Sequence, residues 1–196
     1  MKITLETAPV LFPVSLDEGK KQCEIDDDDT SHDDYIESLI KVATGQAEQY
    51  LHRRLITQTW TSYFDGWPDV DEIILPFGKL QSVTTVKYKN SAGVQTTFSS
   101  SDYDVDIATE PGRIVLGYEE VWPTATLYPS NPIEIEFVCG YGTDGSDVEP
   151  AINHAIKLTI SDLFENRETE VYLVNHTKLK TWEALLFPYK LFGGVF

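Results

Sequence analysis

Residues 47–68 read AEQYLHRRLITQTWTSYFDGWP, and the spacing of their apolar side chains changes partway through. Before the change, Ile36, Leu39, Ile40, Ala43, Ala47, Tyr50 and Leu51 recur at intervals of three and four, which predicts one face of an α-helix of about 20 residues. After it, β-branched and aromatic residues come in short runs closed by turn formers. ITQTWTSYF runs into Asp65-Gly66-Trp67-Pro68 and SVTTVKYK into Asn90-Ser91-Ala92-Gly93, with EIILP, RIVL and IEIEFV as further runs. Such runs predict five or more antiparallel strands.

Outward from this boundary the helical signal returns at both ends. Ser15-Leu16-Asp17-Glu18 fits a capping box, in which a hydroxyl and a carboxylate satisfy orphan amides, and predicts a short helix to about Cys23. Pro150 stands at a favoured first helical position, followed by Ile152, Ile156, Leu163 and Phe164. Trp182, Leu185, Leu186 and Tyr189 predict a last short helix ending near Pro188. The fold class is α+β. A small bundle of about four helices, from residues 1–55 and 149–196, carries an inserted antiparallel β region, residues 56–148.

The 196 residues hold 32 acids against 15 Lys and Arg, for a net charge of −17. That balance opposes wrapping of nucleic acid, because phosphate binding needs basic clusters that release counterions. The charge is uneven, with 12 acids against 6 bases in residues 1–55, 14 against 4 in 56–148 and 6 against 5 in 149–196. The C-terminal part is therefore nearly neutral while also being the most apolar, ending EALLFPYKLFGGVF. No run approaches the ~20 apolar residues of a membrane span, so the chain reads as soluble. Cys23 and Cys139 show no metal or redox spacing and read as reduced thiols, with pairing left open.

Several chemical motifs weaken when their physics is checked. GYGTDG, Gly140–Gly145, has the spacing of a dinucleotide fingerprint, but Pro150 starts the helix too late, and Asp144, Asp147 and Glu149 would repel a pyrophosphate. Asp26, Asp28, Thr30, Asp34 and Glu37 fall at calcium-loop positions, with Ser31 where the sharp turn calls for Gly; the alternative is a solvated acidic linker ahead of a helix. His32, His52, His154 and His176 form no helical i, i+4 pair for zinc. Trp60, Tyr63, Phe64, Trp67 and Trp122 have the chemistry to stack on a sugar, against cross-strand or core packing. Neither a catalytic constellation nor a cofactor motif emerges. The rival to a structural protein is a binding module for saccharide or calcium.

The order of PVSLDEGKKQCEIDDDD, AEQYLHRRLITQTW, DGWP, ILPFGKLQSVTTVKY, PGRIVL, VCGYG and EPAINHAIKLTISDLFENRE, closed by an apolar C-terminus, resembles the head-tail connector (adaptor) proteins of long-tailed bacteriophages. The likeness is greatest to the longer branch with a β region between the helices, and spans about Pro13 to Tyr189. The resemblance implies a non-enzymatic virion protein, assembled in the host bacterial cytoplasm. It would form a ring of twelve subunits whose body is helical, joining the portal to the next head-completion or tail component while DNA passes through. An acidic lumen would let DNA slide without sticking. Within this reading Trp182, Leu186, Phe187, Tyr189, Phe192 and Phe196 are the candidate interface to the portal or a neighbouring subunit, with Gly193-Gly194 as a joint. Helical spacing suits residues 182–186 equally to closing the core, so 187–196 form the sharper candidate, dispensable for folding.

Overall fold

The computed structural model describes residues 2–166 and 181–192. The chain divides into two compact units: Met1–Pro9, Thr57–Tyr141 and Leu191–Phe196 make one, Val10–Ile56 and Gly142–Lys190 the other.

The first unit is antiparallel β. Its strands are β1 (Lys2–Thr7), β2 (Gln58–Phe64), β3 (Glu72–Ile74), β4 (Leu80–Lys89), β5 (Gln95–Phe98), β6 (Tyr103–Asp106), β7 (Arg113–Leu116) and β8 (Ile133–Cys139). Five form a sheet in the order β1-β2-β8-β4-β5 and three form another in the order β3-β7-β6. The centre of the large sheet falls to β8 because IEIEFVC alternates strictly. Ile133, Ile135, Phe137 and Cys139 are buried on one face while Glu134 and Glu136 keep contact with water on the other. Leu80, Val86, Phe98, Ile73, Tyr103, Ile114 and Leu116 join that buried face, so both sheets share one core. In the PGRIVL turn, a Cβ on Gly112 would lie 2.4 Å from Leu80 Cβ, which explains a residue without a side chain there.

Residues 1–55 were expected to lie in the helical part, yet Lys2–Thr7 pair with β2, from Lys2↔Tyr63 to Thr7↔Thr59. The alternation of KITLET, with β-branched Ile3, Thr4 and Thr7, is the signal for this edge strand. At the other boundary, residues 142–148 belong with the helices instead of the strands.

The second unit holds α1 (Leu16–Gln22), α2 (Asp33–Leu51), α3 (Pro150–Glu165) and α4 (Thr181–Leu186). Ser15 and Glu18 form the reciprocal capping box at the start of α1. Ile36, Leu39, Ile40, Ala43, Ala47 and Leu51 of α2 face Ile152, Ala155, Ile156 and Ile160 of α3 and Leu186 of α4 in the buried core. Gly19 lets α1 approach α2 closely, since a Cβ there would lie 2.9 Å from Ile36 Cγ2. His52 ends α2 in the left-handed conformation at φ 57°, and the chain then leaves for β2.

Candidate docking surfaces

The acidic segment after α1 is organised from inside. Lys20, 2% exposed, sends its ammonium 2.8 Å to the Asp27 carbonyl oxygen and 3.1 Å to Asp33 Oδ1. Asp26, Asp28, Thr30, Asp34 and Glu37 are all exposed, and Glu37 faces Lys41 at 4.0 Å. Among the described residues no group of three or more His, Cys, Asp or Glu is placed to hold a metal ion. The calcium-loop spacing is present in the sequence, but a lysine supplies the loop's positive charge and the five candidate ligands do not converge.

The glycine-rich exit from β8 is a capped turn. Asp144 accepts from Ser146 N at 2.8 Å, and Asp147 Oδ2 accepts from Asp144 N at 3.0 Å. A Cβ on Gly142 would meet that Asp147 carboxylate, so the space a pyrophosphate would need is filled by an acid. Hydrogen bonding from Ser146 holds the Asp144 carboxyl below its usual range.

The aromatics of the β unit pack on one another. Trp67 stacks on Trp122 with ring centres 5.0 Å apart and planes 8° apart, and also meets Tyr88 and Phe98; Trp60 packs on Phe77. Trp60, Phe64, Trp67 and Trp122 all lie against the shared core. Cys23 and Cys139 are free thiols, Cys139 buried and Cys23 half-buried.

Of the tail candidates, Leu186 is fully buried, which removes it from any interface and makes it part of the helical core. Trp182 is half-buried against Tyr50 of α2 at 5.0 Å. Arg53 Nε donates to the Tyr189 carbonyl oxygen, and the Lys190 ammonium sits 4.4 Å from the Tyr50 ring centre. These contacts anchor residues 182–190 at the end of α2. Burial first, then the Lys190 charge, pushes the His52 imidazole below its ordinary range. Phe187 and Phe192 are 58% and 65% exposed, whereas Leu191 between them is buried. Gly193, Gly194, Phe196 and His176 lie outside the described residues.

A second apolar surface on the helical unit has no counterpart in the sequence reading. Val10, Leu11, Phe12 and Ile40 line a groove of about 650 Å³, rimmed by Glu18, Glu37, Lys41 and Asp144. Val10 is 91% exposed and Leu11 50%. Lys157 Nζ holds Glu18 Oε1 at 2.6 Å. Burial raises the Glu18 carboxyl, yet hydrogen bonds from Lys157 and Ser15 bring it below its usual range. The available signal was PVLFP, residues 9–13, an apolar run closed by two prolines and so barred from continuing a helix or a paired strand.

The site is thus made of apolar surfaces on an acidic chain, and among the described residues no group of His, Cys, Asp or Glu is placed to hold a metal ion. Residues 13–111, just over half of the chain, match the family of phage gp6-like head-tail connector proteins. The chain belongs to that connector family. No curated protein matches it. Among solved structures, the connector-family chain is similar to a chain from the neck of an empty gene transfer agent (GTA) particle computed with C6 symmetry. The TM-score is 0.82 at 18% identity, over 100% of this chain and 98% of that one. A chain of the native GTA virion gives 0.81 at 17% identity, and one from the native GTA neck computed with C12 symmetry gives 0.77 at 19%, each with 100% and 98% coverage. At these identities the likeness speaks for the fold, and it supports the α+β architecture of this connector. No described helix of the connector is long and apolar enough to cross a membrane.

Proposed function

We propose that this chain is a non-catalytic structural subunit that assembles as a ring at the head vertex of a phage or phage-like particle. It joins the portal to the next head-completion or tail component and lets DNA pass. Its place is the virion, reached by assembly in the host bacterial cytoplasm. The observation that carries this is the exposure of Phe187 on a segment that Arg53 anchors at the end of α2, in a connector-family chain. Large exposed aromatics on a rigid base are the usual energetic anchors of an interface.

A ring of twelve is supported by the neck structures similar in fold, since twelve copies satisfy both C6 and C12 symmetry. The net charge of −17 suits a conduit: carboxylates lining a channel would repel phosphates and keep the genome from sticking. The rival saccharide and calcium readings lose their basis where the aromatics pack into the core and Lys20 fills the acidic loop.

The experiment is deletion of the gene in the producing strain, with imaging of the particles. Packaged heads that lack tails or leak DNA are expected, together with rings of the chain at the neck of wild-type particles. Normal infectious particles without the gene would refute the reading.

A further inference from the structure

β1 is the outermost strand of the larger sheet, and among the described residues it pairs only with β2. The other edge of such a strand offers amide and carbonyl groups to a further strand. Lys2, Leu5, Glu6 and Thr7 are exposed, Leu5 by 44%. Ile3 and Leu5 stand opposite Ser62 and Trp60, and Trp60 packs against the core, so these two apolar side chains carry the core face out to the edge. Thr4 Oγ1 donates to Glu6 Oε1 at 3.0 Å, which puts both on the opposite face, with Lys2. The Lys2 ammonium is 5.8 Å from the Tyr63 ring centre, and neither Lys2 nor Glu6 is in an ion pair among the described residues.

Charge and sequence together decide which strand fits there. Copies of a chain of charge −17 repel one another, but KITLET holds one Lys and one Glu, and QTWTSYF of β2 holds no charged residue. The first acids further in are Glu134 and Glu136 of β8. Two copies joined through β1 would keep these acid-bearing strands five strand spacings apart, about 24 Å, against a Debye length of about 8 Å. Antiparallel pairing of β1 with itself, centred on Thr4, sets Lys2 against Glu6, Ile3 against Leu5 and Thr4 against Thr4. A slip of one residue sets apolar side chains against polar ones, and a slip of two separates Lys2 from Glu6.

We infer that β1 of one copy pairs with β1 of a second copy, antiparallel about Thr4, as a two-fold dimer of the free chain. The register shift between Leu5 and Thr7 bends the strand and limits the new ladder to residues 2–6, so the dimer forms at high concentration and separates readily. An isologous contact closes at two copies. It is therefore a contact made outside any ring, and it stands or falls independently of the connector reading.

The test places thiols along β1 of the full chain, in a Cys23→Ser background with Cys139 left buried. Directly opposite residues of an antiparallel pair have Cα atoms about 4.5–5.5 Å apart, within the span of a disulfide. Thr4→Cys is expected to give a disulfide-linked dimer under mild oxidation. Ile3→Cys alone and Leu5→Cys alone should stay unlinked, whereas their mixture should link as a heterodimer, because Ile3 of one copy faces Leu5 of the other. Lys2→Glu and Glu6→Lys should each lower the yield from Thr4→Cys by setting like charges opposite each other, and the two changes together should restore it. Circular dichroism should match wild type throughout. Without any thiol added, sedimentation velocity of wild type up to millimolar chain should show a monomer and a dimer.

The inference is overturned by a Thr4→Cys chain that links no more than Ile3→Cys or Leu5→Cys alone, or by a mixture of those two that stays unlinked. Failure of the double charge exchange to recover the yield, or wild type that is wholly monomeric at millimolar concentration, overturns it as well.

Discussion

At the scale of single residues, the side chain that decides most is Lys20. A lysine 2% exposed is costly unless its ammonium is bonded, and here it is held by the Asp27 carbonyl and the Asp33 carboxylate. Removing one partner of a buried ion pair costs about 3–5 kcal/mol, but the Asp33 side chain is 27% exposed, so water recovers part of that loss. Lys20→Ala should therefore destabilise the chain by about 2–3 kcal/mol, read from the urea midpoint at neutral pH. Lys20→Met, which keeps the packed stem and loses only the bonds, should fall between the two. A change below about 1 kcal/mol for Lys20→Ala would mean that water, not the lysine, organises the acidic loop. The sequence offered calcium-loop spacing only as an alternative to a solvated acidic linker, because ligand spacing is local, whereas the lysine that supplies the counter-charge comes from the preceding helix.

At the scale of elements, the three-stranded sheet is tied across its strands by one cation. Arg113 of β7 meets Asp106 of β6 at 3.0 Å and Glu72 of β3 at 2.6 Å. The Arg113 hydrogen bond leads the causes that hold the Asp106 carboxyl below its ordinary value of 3.8; burial, the next largest, opposes it, and hydrogen bonds from Thr109 and Ala108 add to the lowering. Because the folded carboxyl binds its proton less readily than the unfolded one, the contribution is fully present above the unfolded value. It is lost as pH falls through the folded value. Thermal midpoints should thus decline below about pH 4 in wild type. They should decline less steeply in Asp106→Asn, the two curves converging in acid; parallel curves would defeat the assignment. Glu18 and Asp144 shift in the same direction, so the difference between wild type and variant is the quantity to read. Elements with strong periodicity were legible in the sequence: the apolar stripe of α2, the Ser15 capping box and the alternation of β8 all follow from local spacing. β1 was missed because a six-residue edge strand, mostly exposed, gives only a faint alternation. The groove was missed because a recess is made by segments distant in sequence: residues 10–16, α2 and the turn at Gly145.

At the scale of the whole molecule, the chain's end has two roles that the sequence ran together. Apolarity and near-neutrality marked residues 187–196 as a docking arm separable from the fold, but neither property distinguishes a residue that anchors from one that projects. Tyr189 and Lys190 hold the segment to α2 through Arg53 and Tyr50, and Leu191 is 5% exposed, while Phe187 and Phe192 project. A chain ended after Leu186 loses a hydrogen bond to a charged group, about 1.5–3 kcal/mol, and a cation–π contact of about 0.5–1 kcal/mol. Burial of one leucine, about 1.5–2 kcal/mol, goes with them. These terms are not strictly additive, and they leave Arg53, 7% exposed, without the Tyr189 carbonyl, so the expected loss is roughly 3–5 kcal/mol. A chain ended after Phe192 keeps every one of these contacts and should unfold at the wild-type urea midpoint. Equal midpoints for the two truncations would show that the anchor contributes nothing and that the arm is separable from Leu186 onward. A loss confined to the shorter chain would show that residues 187–192 stabilise the subunit that carries them, so that the arm is not separable from Leu186 onward.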